Sequence, residues 1–296
     1  MKRLAGRIAV TLIAVLLASV VGWQLWDYYM LAPWTRDGRV RADVVGITPD
    51  VSGLVASVAV RDNQPVRRGD VLFEIDRTRF DLAVQQADAA ALARWSAYQQ
   101  SQRDSQRLSR LDQSAVSVQA QERAVSDAQQ AAASYQQAIA DRDLARLNLE
   151  RSRVLAPVNG AVTNLELRPG DYVTAGRAVF ALVDTDTLRV EGYFEETKLP
   201  RIVQGAAATV RLMGEGRVIA GHVESIAGAI EDRDRAAGPN LLANVNPTFS
   251  WVRLAQRIPV RIAIDSLPPG LRLLPGRTAT VSISPATGDA QPQAMR

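Results

Sequence analysis

The chain has 296 residues, 47% of them hydrophobic and 22% charged, a composition that excludes a wholly disordered polymer. It carries no cysteine and one histidine, His222, which removes disulfide scaffolds, zinc–thiolate sites, cysteine nucleophiles and multi-histidine metal sites. The net charge is +4, and of the 35 basic residues only Lys2 and Lys198 are lysines, so nothing in the charge balance calls for nucleic acid.

Ile8 to Trp26 is a run of 19 residues without a charge. At about 1.5 Å per residue it spans roughly 28 Å, the thickness of a bilayer's hydrocarbon core. Lys2, Arg3 and Arg7 precede it, and Trp23, Trp26, Tyr28, Tyr29 and Trp34 crowd its far end as headgroup-interface anchors. The pattern predicts a single N-in, C-out transmembrane anchor. A cleaved signal peptide would have a shorter apolar region and a small-residue cleavage site, whereas this run ends in Gly-Trp-Gln-Leu-Trp-Asp-Tyr-Tyr.

From Asp70 to Ala156 there is neither glycine nor proline, and the stretch is rich in Ala, Gln, Arg, Leu and Asp. Ala124, Ala128, Ala131, Tyr135, Ala138, Arg142, Ala145 and Leu149 follow a heptad-like 4-3-4-3 spacing, as Phe80, Val84, Ala87, Ala91, Arg94 and Tyr98 do less cleanly. Leu111 to Ser117 interrupts the pattern, with Ser117 an N-cap candidate. This predicts an antiparallel helical hairpin, with arms at 78–111 and 117–153. Too few large apolar residues are present for a broad helical core, so a thin two-helix projection is favoured over a compact helical domain.

The segments flanking this insertion resemble each other at a constant offset of 107. Gly53 falls on Gly160, Val66 on Val173, Gly69 on Gly176 and Phe73 on Phe180. Alternating apolar residues between glycine turns indicate short strands, and the repeat predicts two similar β units packed face to face. The pattern resembles the two halves of a lipoyl or biotinyl domain. That resemblance implies a tight turn bearing a modified lysine between the halves. Here the helical hairpin replaces the turn and no lysine is present, so no cofactor is expected, and a structural adaptor is favoured over a swinging-arm carrier.

After Thr187 the strands are short, at Leu188–Phe194, Ala207–Leu212 and Val218–Ile226. Turn glycines Gly205 and Gly276, each five residues before a valine, fit entries into one small antiparallel barrel. Glu195 to Leu199 fits a single helical turn, polar Glu231 to Ser250 a long mobile loop, and the chain after Ser284 a frayed tail. His222 fits a plain strand position. No carboxylate pair, nucleophile–base set or phosphate-cradling loop can be named, so no enzyme is expected.

The expected fold is mainly β with a long α-helical hairpin. Its parts are a cytoplasmic tail (1–7), an anchor (8–26), a linker with the first barrel strand (27–46) and lipoyl-like half 1 (47–77). The hairpin (78–153), lipoyl-like half 2 (154–184), a β-barrel with a membrane-proximal region (185–285) and a disordered tail (286–296) follow. This order resembles the periplasmic adaptors, or membrane fusion proteins, of the hemolysin D type. Ala32-Pro-Trp-Thr-Arg-Asp-Gly38, Glu195-Glu-Thr-Lys-Leu199 and the stretch from Trp251 to Ile262 are similar to the adaptors of aromatic carboxylic acid (p-hydroxybenzoate) efflux.

The resemblance implies an inner-membrane, periplasm-facing subunit of a Gram-negative tripartite efflux pump. Its partners would be an inner-membrane transporter, an outer-membrane channel and further copies of itself in a ring, often a hexamer in that family. It also implies that Arg107, Leu111 and Ser117, at the hairpin tip, meet the channel. An adaptor of a multidrug or fusaric-acid-type exporter, and a single-span membrane-anchored binding or sensor protein, stay open as alternatives.

Overall fold

The computed structural model describes residues 2–26, 32–111, 116–230, 235–237, 243–245 and 255–284, with the side chains of the first helix described from Leu12 onward. That helix, α1 (Lys2–Trp26), contains the uncharged run. Among the described residues no helix is long and apolar enough to cross a membrane. The remainder divides into two compact units, Val44–Asp186 and a second one built from the residues on either side of it.

The first unit opens with β2 (Val44–Ile47), after β1 (Trp34–Arg41) has been given to the other unit. Residues 44–46, expected as linker, are therefore strand. They pair with residues 181–183, and Ile47 is buried. Next come β3 (Gly53–Val58), β4 (Pro65–Val66) and β5 (Val71–Ile75), then the helices α2 (Thr78–Ser109) and α3 (Val118–Arg151). The chain returns through β6 (Arg153–Leu155), β7 (Gly160–Thr163), β8 (Tyr172–Val173) and β9 (Phe180–Asp184).

The offset of 107 carries β2 onto β6, β3 onto β7, β4 onto β8 and β5 onto β9. The two halves do not each form a sheet, however. One sheet runs β2-β9-β7-β4 and the other β6-β5-β3-β8, so each takes two strands from each half. This corrects the expectation of one β unit per half. Strands of two to six residues expose too many unpaired backbone groups to stand as separate sheets, and exchange lets each half complete the other. The core between the sheets includes five repeat-related pairs, Ile47 and Val154, Val55 and Val162, Val66 and Val173, Phe73 and Phe180, and Ile75 and Leu182, together with Val51, Val60, Leu72, Phe80 and Ala156. Gly69 and Gly176, also repeat-related, both adopt positive φ (92° and 80°), a conformation that costs glycine least.

The second unit is a closed six-stranded barrel in the order β1-β10-β15-β12-β11-β16. Its further strands are β10 (Arg189–Glu195), β11 (Ala207–Leu212), β12 (Val218–Ile226), β15 (Arg257–Ser266) and β16 (Thr278–Ile283). Alternation is strict in β11 and β16, whose every second residue is buried. Val40, Val190, Phe194, Val210, Ile219, Val260, Ile262 and Val281 fill the interior. A 3-10 helix, Glu196–Arg201, follows β10. Within the expected long loop, β13 (Arg235–Ala237) and β14 (Ala243–Val245) pair antiparallel; three-residue strands leave too short a pattern to read from sequence. The expected tail lies outside the described residues.

Candidate functional site: the tip of the helical hairpin

The hairpin leaves the sandwich between β5 and β6, which pair antiparallel at its base, with Glu74 opposite Arg153. Those two side chains also form an ion pair at 2.7 Å. At the start of α2, Asp76 Oδ1 accepts hydrogen bonds from the Thr78 backbone N–H (3.0 Å) and hydroxyl (2.8 Å). These bonds hold its carboxyl below the usual carboxylate range. An Asp two residues before a helix is a start signal that was readable in the sequence.

Along the arms, all eight seam positions of α3 are at least half covered, and so are Phe80, Val84, Ala87, Ala91 and Tyr98 of α2. Arg94 is exposed. Its expected place facing α3 is taken by Trp95, whose ring lies 5.1 Å from Tyr135 and 5.9 Å from Tyr98. Among the described residues only Phe80, Ala91 and Ala138 of the two helices are buried, so the core of the hairpin is one side chain wide.

At the tip, α2 closes with tightened turns: Arg110 N–H donates to the Arg107 carbonyl (3.2 Å) and Leu111 N–H to that of Leu108 (3.3 Å). Ser117 is extended (φ −69°, ψ 147°), and its hydroxyl oxygen accepts from the Ala120 N–H at 3.3 Å, capping α3. Gln121 Nε2 donates to the Leu108 carbonyl at 3.2 Å and ties the arms together, a contact that no sequence pattern marks.

Arg107 lies in the last turn of α2, and Leu111 follows the C-cap residue Arg110. The Arg107 side chain is 73% exposed and 3.6 Å from Asp104. Leu111 is 44% exposed, so it is not a core residue. Ser117 stands at the start of the other arm and lines a groove of about 350 Å³ with Ser101, Asp104, Leu108, Arg123 and Asp127. The tip thus offers an exposed cation beside Asp104, one exposed apolar side chain and a polar groove. An exposed apolar side chain beside a groove is the kind of surface used in helix-in-groove contacts. Residues 112–115 lie outside the described residues.

Of the expected interface aromatics, Trp23 and Trp26 are exposed on α1, and Tyr28 and Tyr29 lie outside the described residues. Trp34 is the first residue of β1. Lys198 Nζ and Arg36 Cζ lie 5.3 and 5.5 Å from its ring centroid, so its indole is engaged by cations of its own chain. Lys198, with a side chain only 9% exposed, also donates to the Trp34 carbonyl at 3.3 Å. His222, in β12, lies 2.6 Å from Asp265 Oδ1 through Nδ1 on the barrel surface. Among the described residues no group of His, Asp and Glu side chains could hold a metal ion.

Residues 43–185 match the barrel-sandwich hybrid domain of RND membrane fusion proteins, and residues 187–284 match the AAEA-like β-barrel domain. The chain is 40% identical over 273 residues to the uncharacterized protein YdhJ of Escherichia coli (strain K12), covering 92% of this chain and 96% of that one. Among solved structures it is similar to the membrane fusion protein Spr0693 of Streptococcus pneumoniae R6 (TM-score 0.63, 15% identity, 85% of this chain and 98% of that one). It is also similar to a MacA–MexA chimera carrying the α-hairpin domain of Pseudomonas aeruginosa MexA (TM-score 0.58, 20% identity, 86% and 82%). At these identities the structural likenesses speak to the fold alone.

Proposed function

The chain belongs to the membrane fusion protein family, the periplasmic adaptors of efflux pumps, and from that premise we propose that it links an inner-membrane transporter to an outer-membrane channel for the export of aromatic carboxylic acids. The family is one of non-enzymatic adaptors. The observation that carries the reading is the hairpin α2–α3, inserted between the paired strands β5 and β6 and ending in an exposed tip.

In this reading α1 anchors the chain in the inner membrane. The uncharged run Ile8 to Trp26 supports it, together with the exposure of Leu12, Ile13, Leu16, Leu17, Val20 and Val21, an apolar surface that needs lipid or protein around it. The rest of the chain faces the periplasm. Copies assemble as a ring, because a hairpin core one side chain wide leaves Leu82, Leu92, Val125 and Leu144 exposed for neighbouring arms to cover. Arg107, Leu111 and Ser117 meet the channel at the tip. Aromatic acids are the cargo on the strength of the segments Ala32 to Gly38, Glu195 to Leu199 and Trp251 to Ile262, together with the barrel family matched.

Leu111→Asp is the test, since a carboxylate cannot enter an apolar helix-in-groove contact without desolvation. Expression and membrane insertion are expected to stay at the unsubstituted level while export of p-hydroxybenzoate is lost. Full export in that variant overturns the tip assignment. Tolerance of fusaric acid, but not of p-hydroxybenzoate, that depends on the gene would move the cargo to the fusaric-acid class.

A further inference from the structure

Trp34 lines two cavities on the barrel, and their charge differs. The first also holds Asp37, Glu195, Lys198 and Arg257. Two of its cations are already matched, Arg257 lying 2.6 Å from Asp37 and Lys198 3.9 Å from Glu195, while Arg36 lines both cavities. The second, of about 400 Å³, is lined by Trp34, Arg36, Thr209, Arg211, Thr280 and Ser282 and contains no carboxylate. Neither Arg36 nor Arg211 makes an ion pair among the described residues, and the hydroxyls of Thr209, Thr280 and Ser282 make no side-chain hydrogen bond there.

Strand register builds this second cavity. Trp34 is opposite Ser282, and Ser282 is opposite Thr209, so one row crosses β1, β16 and β11. The adjacent row on the same face pairs Thr280 with Arg211. Between Thr35 and Gly38, β1 carries one residue more than β16, so Arg36 and Asp37 together face the single residue Thr280. The bulge leaves Arg36 lining both cavities and Asp37 only the first, where it pairs with Arg257. The second cavity therefore carries two arginines and no acid.

From this arrangement we propose that the β1–β16–β11 face of the barrel binds a small aromatic carboxylate. The indole of Trp34, with Arg36 Cζ 5.5 Å from its ring centroid, forms an aromatic wall of the cavity, and the rows on one face lie about 7 Å apart along the strands, which matches the span of a monocyclic aromatic acid. A guanidinium fork on the second row pairs with a carboxylate in two hydrogen bonds. The three hydroxyls serve a ring substituent or the second carboxylate oxygen. The inference rests on the reading of aromatic acids as cargo and makes the adaptor a surface on which that cargo is held.

The test is calorimetric titration of the full chain in detergent with p-hydroxybenzoate, and with the neutral p-hydroxybenzamide as control. Saturable binding of the acid and none of the amide is expected. Arg211→Ala is expected to weaken binding by about ten-fold or more, the loss of one charge-assisted bidentate contact, and Trp34→Leu comparably. Arg39→Ala, on the same strand but outside this cavity, is expected to leave affinity within about two-fold, where a general effect of surface charge would lower it. No saturable binding by the unsubstituted chain, equal binding of the amide, or an Arg39→Ala loss equal to that of Arg211→Ala overturns the site. Gene deletion read as p-hydroxybenzoate tolerance reports on the export reading independently of all three.

Discussion

Phe73 and Phe180, 107 residues apart and equivalent in the internal repeat, meet edge to face at the centre of the sandwich with ring centroids 6.1 Å apart. Each belongs to a different half and a different sheet, so this one contact joins both sheets and both halves. Phe73→Ala and Phe180→Ala are each expected to cost about 3–5 kcal/mol in denaturant unfolding. The double variant should lose less than the sum, by about 0.5–1.5 kcal/mol, because the rings share one contact. Additive losses would show that the rings pack independently.

The repeat-related glycines Gly53 and Gly160 are not equally replaceable. A methyl on Gly160 would land on the carbonyl oxygen of Val183 in the paired strand β9, which is backbone and cannot swing aside. One on Gly53 meets the Ile75 side chain at 2.6 Å. Gly160→Ala is expected to destabilise by about 2–4 kcal/mol and Gly53→Ala by less, with the order checked by thermal melts.

Ser117 caps α3, so Ser117→Ala is expected to cost about 1 kcal/mol while Ser117→Asn restores most of it. Export measured on both variants separates the two roles. Recovery with Asn places the importance of Ser117 in helix capping, and continued loss with Asn places it in contact with the channel.

The carboxyl of Asp76 is held below its ordinary range by the two hydrogen bonds from Thr78. Its folded value lies under the unfolded one of about 3.9, so its stabilising contribution is present in full above that pH and is lost as pH falls through the folded value. Melting of the chain and of Asp76→Ala, compared from pH 7 down to acid, should show a gap that is constant near neutrality and closes at the acid end. A gap unchanged at low pH would show that ionisation of the cap contributes nothing.

The hairpin was legible because its signal is local: the stretch without glycine or proline and the 4-3-4-3 spacing need no knowledge of a partner, and the positions they named face inward, Arg94 excepted. The repeat was legible for the same reason, since Val55 and Val162 or Ile75 and Leu182 carry the same pattern. Strand pairing was not. That β2 joins β9 while β6 joins β5 depends on residues more than seventy positions apart, and each strand alone is too short to mark its neighbour. The tip residues were nameable through a resemblance, and Gln121 was missed because its role exists only against the Leu108 carbonyl. The face around Arg211 is likewise a product of register: its residues come from three segments, and only the bulge in β1 decides which charge joins them.

The pairing of Glu74 with Arg153 at the hairpin's base makes the two helices an insertion whose ends are fixed by neighbouring strands rather than by anything along their length. Seven residues added to each arm would lengthen the hairpin by about 10 Å and keep the seam in phase, with β5 and β6 undisturbed. The hairpin is thus a gauge that can be recut to a different periplasmic distance in steps of a heptad, while the sandwich that carries it keeps its sequence.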